Sequence, residues 1–219
     1  MLDRRLFLAG LGIAALSGCA NTGDVGSSKA LAPAKTPAID PAYLAMYGPL
    51  PAEKFPIPAA DIAKVDQKFL RTVVADPTGE QPGTIVVNTA ERMLYLVRDD
   101  GQAVRYGIGI GRAGFAWSGR AQIAWKRPWP TWTPPAEMIE REPELEAWRE
   151  GMPPGLGNPL GARALYIFQD GADTLYRLHG TMESWSIGHA VSSGCVRLLN
   201  QDVIDLYRRV PTPSAILVI

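Results

Sequence analysis

Cysteine and histidine are nearly missing from this chain, with two of each in 219 residues. Cys19 and Cys195 cannot build a disulfide scaffold or a four-cysteine zinc site. The spacing of His179, His189 and Cys195 matches no familiar ligand set, so no metal and no cofactor is expected. An excess of charge of either sign is lacking too. Lys and Arg number 22, and Asp and Glu number 22, which excludes the basic footprint of a general nucleic-acid binder and the acidic bias of a solvating tail. No apolar run reaches the roughly 20 residues that a permanent membrane-spanning helix needs. Punctuation, by contrast, is abundant. Glycine (22) and proline (19) make up about a fifth of the chain, against an ordinary share of about 12%, so long helices cannot dominate. The 47% apolar share suffices for one domain of ordinary size with appendages.

Residues 1–19 read as an address. Arg4 and Arg5 precede an apolar run from Leu6 to Leu16, too short to span a bilayer and fitting an export signal. Leu16-Ser17-Gly18-Cys19 resembles the lipobox of bacterial lipoproteins, in which cleavage leaves the cysteine as a lipidated first residue. That resemblance makes Cys19 the expected lipidation site and implies a periplasmic, envelope-facing protein tied to a membrane by a lipid anchor. Arg4-Arg5-Leu6-Phe7-Leu8 resembles the twin-arginine export signature, with Asp3 where Ser or Thr usually stands. Outside the cytoplasm thiols are readily oxidised, and Cys195 is then the remaining thiol of the mature chain.

Seventeen of the prolines fall in two windows, Pro33 to Pro82 and Pro128 to Pro159. Residues 20–82 are expected to be a linker and N-terminal extension, disordered early and packed loosely on the domain later. Ile62, Val65 and Phe69 at helical spacing suggest a short helix within Asp61 to Val74. From residue 83 to 219 the pattern is that of strands: 84–90, 93–97, 104–110, 121–125, 164–168, 175–179 and 215–219, with β-branched and aromatic runs between turn residues. A helix is expected over 201–210, with Asn200 as its N-cap. In the second proline window, Pro134-Pro135 should open a helix and Pro143 end or kink it. The expected fold is mainly β, an antiparallel sandwich with one or two helices and a helical, proline-rich insertion that could act as a lid.

Two motifs are set aside. Gly109-Ile-Gly111-Arg-Ala-Gly114 has the spacing of a dinucleotide fingerprint, but Phe115-Ala-Trp-Ser-Gly119 offers no helix to receive a pyrophosphate. Lys126-Arg127-Pro-Trp129-Pro-Thr-Trp132 mixes cations with aromatics as single-strand grooves do. With balanced charge and an export address, a solvated loop or a surface for a polar polymer fits better, and no nucleic acid is expected.

The informative stretch runs from His179 to Arg197. A strand ends in a histidine, a loop of small residues follows, and a cysteine precedes a capped helix. A free thiol with a pKa of ~8.5 needs a base or a positive field to react near neutrality, and the base is His179 or His189. Glycine before the cysteine permits a sharp turn that would aim the backbone N–H groups of Gly194 and Cys195 at an attacked carbonyl. Three segments together resemble the catalytic signature of the YkuD-type L,D-transpeptidases: Leu178-His179-Gly180-Thr181, Trp185-Ser-Ile-Gly188, and Ser192-Ser193-Gly194-Cys195-Val196-Arg197. The likeness extends over about Thr84 to Ile219 and includes Gly157-Asn-Pro-Leu-Gly161.

That resemblance implies Cys195 as nucleophile, His179 as proton acceptor and donor, and Gly180 as the neighbour whose carbonyl orients the imidazole. Ser193 and Gly194 would form the oxyanion loop, and Ser192, Arg197 and Trp185 would contact substrate. Ser193 stands where the commonest form has a second histidine, so any role needing imidazole there is lost. The implied reaction is acyl transfer from peptidoglycan stem peptides, with loss of D-Ala and capture by a diaminopimelate amine, by a lysine of an envelope lipoprotein, or by water. A non-catalytic wall-binding module is the alternative of another class.

Overall fold

The computed structural model describes residues 39–111, 117–192 and 194–219. The expected export signal, Cys19, Gly114 and Ser193 lie outside those residues. The strands are β1 (Thr72–Ala75), β2 (Ile85–Asn88), β3 (Met93–Val97), β4 (Gln102–Gly107), β5 (Ile110–Gly111), β6 (Gly119–Pro128), β7 (Arg163–Gln169), β8 (Ala172–Thr181), β9 (Ala190–Ser192), β10 (Val196–Leu199) and β11 (Ser214–Val218). The helices are α1 (Pro41–Met46), α2 (Ala136–Arg141) and α3 (Asn200–Arg209). Nine strands form one sheet in the order β1-β4-β3-β2-β11-β6-β7-β8-β10, and β5 pairs with β9 separately.

Hairpins make most of this sheet antiparallel, as the alternating runs suggest. Two pairings in it are parallel, however: β11 beside β2 and β10 beside β8. A parallel neighbour cannot be reached by a tight turn and requires a crossover. Residues 182–195 supply it between β8 and β10, so the segment carrying the cysteine is the crossover itself.

One apolar core joins both halves of the sheet. Ile85, Leu94 and Tyr106 from the β2–β4 half meet Ile123, Leu165, Leu178 and Val196 from the other, and α3 adds Val203 and Leu206. The opposite face of β2–β4, with Val86, Tyr95 and Val97, is covered by Tyr47, Ile62, Val65, Phe69 and Leu70 of the extension. These residues are buried, so the extension from Ile39 onward packs more tightly than a tether. The helix expected within Asp61 to Val74 is replaced by two 3₁₀ turns, Ile62–Lys64 and Gln67–Phe69, and then by β1. Asp66 accepts a hydrogen bond from the Lys68 backbone N–H (3.1 Å), a local turn that competes with helix, and Thr72-Val-Val74 is β-branched. Helix α3 begins one residue earlier than expected, with Leu199 in the N-cap position. Pro143 ends α2 as expected, and a 3₁₀ segment Pro143–Trp148 follows.

Candidate active site

His179 lies on β8 in register with Arg197 on β10, and Leu178 is paired with Val196. Leu178 and Val196 both enter the core, so alternation along a strand puts His179 and Arg197 on the opposite face. Cys195, the residue immediately before β10, falls by the same alternation on the face of His179. The register thus puts His179 and Cys195, sixteen positions apart, on one face of the β8–β10 pairing.

The imidazole is 4% exposed. Its Nδ1 is 2.9 Å from the carbonyl oxygen of Gly180. A carbonyl only accepts, so Nδ1 carries the proton and Nε2 keeps its lone pair. Burial, joined by the positive charge of Arg197 and opposed by the carbonyls of Gly180 and Pro159, lowers the pKa of His179 from 6.5 to about 4. Burial likewise pushes the Cys195 thiol up, opposed by the Arg177 backbone N–H and by the charges of Arg177 and Arg197. Both shifts favour the uncharged forms, so the resting pair is thiol and neutral imidazole rather than thiolate and imidazolium.

Gly180 is needed for space. A Cβ there would collide with Asn200 Oδ1 and stand 3.1 Å from both the Ala162 nitrogen and Val203 Cγ1. That Asn200 oxygen accepts a hydrogen bond from the Ala162 N–H (2.9 Å), which ties α3 to the strand beside His179. Gly194 adopts φ +143°, a backbone that side-chain-bearing residues avoid. Arg197 donates to Glu183 at 2.6 Å, so the cation is held within the crossover. Trp185 is half-exposed and borders a cleft of about 150 Å³, with Thr181 and Met182 on one side and Pro58, Ala60 and Lys64 of the extension on the other. Ser192 belongs to β9, paired with Gly111. His189 is exposed and uses its carbonyl on the Ile110 N–H (3.0 Å).

Two expectations need correction. Trp129 does not lie in a solvated loop or on a polymer surface. It is buried, donates from Nε1 to Glu53 (3.0 Å) and meets Phe55 edge-on at 4.8 Å, so it fastens the extension. Lys126 is not solvated either, because its ammonium caps the C-terminus of α3 by donating to the Tyr207 carbonyl (2.6 Å). Sequence reasoning also missed Asn158, whose amide donates to the carbonyls of Pro130, Met152 and Pro153 and whose oxygen accepts from Leu160 N–H. An asparagine between Gly157 and Pro159 was the available signal. Arg177 was missed too, although its place two residues before His179 on one strand puts it on the same face.

Comparison with known proteins bears on this arrangement. The L,D-transpeptidase catalytic domain of the YkuD family matches residues 82–218. The probable L,D-transpeptidase YbiS of Escherichia coli is 37% identical over 138 residues, covering 60% of this chain and 43% of that protein. The probable L,D-transpeptidase ErfK/SrfK of Escherichia coli is 38% identical over 144 residues, 62% of this chain and 43% of that protein. The chain therefore spans less than half the length of these relatives. A crystal structure of a Brucella melitensis protein described as a probable carnitine operon oxidoreductase is 47% identical, with a TM-score of 0.50, covering 69% of this chain and 94% of that one. In this chain the glycine segment at 109–111 pairs with Arg197 and β9, and the next described element is strand β6, not the helix a dinucleotide site requires. With its family signature seated on the β8–β10 pairing, the chain belongs to the YkuD family of L,D-transpeptidase catalytic domains.

Proposed function

We propose that the protein is a peptidoglycan L,D-transpeptidase working through Cys195 and His179. One observation carries the reading: an imidazole with Nδ1 tied to the Gly180 carbonyl shares a strand face with the cysteine of the adjacent crossover. His179 Nε2 takes the thiol proton as sulfur attacks the carbonyl at the L-centre of the third stem residue. The backbone N–H groups of Gly194 and Cys195 receive the developing oxyanion. The same proton passes to the leaving nitrogen, D-Ala departs, and a thioester remains on Cys195. An acceptor amine then attacks the thioester, His179 removes its proton, and the thiol is restored. A diaminopimelate amine gives a 3–3 crosslink, and a lipoprotein lysine anchors that protein to the wall. Arg197, beside His179 in the strand register, and Trp185, on the cleft against the extension, are assigned as substrate contacts.

The decisive measurement is mass spectrometry after exposure to a carbapenem. Wild-type protein should gain one acyl adduct at Cys195, and Cys195→Ala none. An unmodified wild-type protein would leave the wall-binding alternative. Incubation with muropeptides separates transfer from hydrolysis, since crosslinked dimers report an amine acceptor and free tripeptides report water. Export through residues 1–19 and lipid anchoring at Cys19 complete the proposal. Metabolic labelling with a fatty acid should mark the wild type and not Cys19→Ala.

A further inference from the structure

Arg177 ends a stack of aromatic rings and guanidinium groups on one face of the sheet. Its guanidinium lies 4.4 Å over the Tyr166 ring, Tyr166 stacks on Trp125 at 3.6 Å and 9°, and Arg127 covers Trp125 at 5.3 Å. Asp173, four residues back on β8, grips the same guanidinium through both oxygens at 2.7 Å, and Nη1 also donates to the Tyr176 carbonyl (2.9 Å). Both terminal nitrogens are thus occupied and the side chain is only 14% exposed. An arginine so fully committed is poorly placed to bind substrate. It holds a fixed charge at a fixed place.

That place is beside the nucleophile. Continuing the β8–β10 register one residue back from Val196 and Leu178 sets Cys195 against Arg177, and Cys195 Sγ is 3.9 Å from the carbonyl of Leu175. The charged groups that act on the sulfur are Arg177 and Asp173 from β8 and Arg197, with its partner Glu183, from β10 and the crossover; Tyr176 lies against the neighbouring Gly194, and His179 follows Arg177 by two residues on the same strand face. We propose that the Arg177–Asp173 pair, braced by the Tyr166–Trp125 stack, is a positioning device that sets the proton affinity of the Cys195 thiol. The proposal deepens the reading of Cys195 as nucleophile and rests on it. The two members act in opposite directions: the guanidinium stabilises a thiolate, and the carboxylate opposes one. Substitution of either member therefore has a predictable sign.

The test follows the pH dependence of Cys195 alkylation by iodoacetamide on the full chain, a reading independent of transpeptidation. Arg177→Gln should move the midpoint up by about half to one pH unit, and Arg177→Lys, which keeps the charge, should move it less. Asp173→Asn, which keeps an oxygen for the Leu175 N–H (2.8 Å), should move it down by a similar amount. A purely structural pair would shift both variants the same way or leave both midpoints in place, and either result overturns the proposal. If Arg177→Gln fails to fold, the direction shown by Asp173→Asn decides. Carbapenem acylation of wild type tests the nucleophile itself, so the two failures are distinguishable.

Discussion

Arg197 stands directly beside His179 in the parallel register of β10 against β8, so the chain places a permanent cation next to its one buried imidazole. Burial and that cation together hold the ring neutral down to about pH 4. If His179 is the base, the rate of carbapenem acylation should retain its acid limb near about 4 instead of falling near the ordinary histidine value of about 6.5. Arg197→Gln removes one of the two lowering influences and should raise the acid limb. A wild-type limb near 6.5 would mean that another group supplies the base.

Asn200 reaches from the start of α3 into the space above Gly180 and satisfies the Ala162 N–H. Asn200→Ala strands a buried donor and should cost about 1–3 kcal/mol in urea unfolding. Gly180→Ala drives a methyl into the same oxygen and should cost about 1–3 kcal/mol through overpacking. In the paired variant Asn200→Ala/Gly180→Ala the collision is gone, so the combined loss should be smaller than the sum of the two singles. Full additivity would show that the two residues do not share this space.

The strands around the core were legible because β-branched and aromatic runs between turn residues mark strands even where both faces are buried: 93–97, apolar throughout, is found at its expected bounds, and 215–219 is found one residue earlier. The helix after the cysteine was equally plain. What alternation does not carry is partner choice. Nothing local in Val196-Arg-Leu-Leu199 announces a strand, since its only neighbour in the large sheet is β8, reached through a fourteen-residue crossover. The extension misled for a related reason. Its scattered apolar residues fill gaps on the outer face of β2–β4 from 3₁₀ turns rather than from one helix, so the proline-rich stretches between them read as linker and Ile62, Val65 and Phe69 read as a helix. The cysteine and histidine were visible as residue types, whereas Arg177, Asp173 and Asn158 act through contacts that only the folded register creates.

Trp129 fixes the extension to the base of the insertion, and its backbone adopts φ +46° where the chain leaves β6. Trp129→Ala removes a buried indole and should cost about 3–5 kcal/mol, with loss of acylation following from unfolding. Trp129→Phe keeps a ring against Phe55 but loses the bond to Glu53, whose carboxylate retains Arg163 at 2.7 Å, and part of the indole's packing. It should cost about 1–3 kcal/mol and leave the ratio of transfer to hydrolysis unchanged. A changed ratio in the folded Phe variant would place Trp129 on the substrate path.

Asp202 is a buried carboxylate joined to the extension, accepting from the Tyr47 hydroxyl at 3.1 Å and lying 3.7 Å from Arg71. An ion pair alone would lower its pKa, yet burial outweighs Arg71 and raises the group from 3.8 to about 7. Desolvation exceeding Coulombic gain is the usual balance for a pair this deep and this long. An acid that holds its proton more tightly when folded contributes stability fully below about 3.8 and loses that contribution as pH rises through about 7. Asp202→Asn keeps an acceptor for Tyr47 and cannot ionise. Relative to this variant, the wild type should therefore lose urea resistance between about pH 4 and about pH 7 and change little above it. If the wild type instead gains on the variant across that window, the Arg71 pair dominates the site, and the extension is held to α3 by charge rather than by a protonated carboxyl.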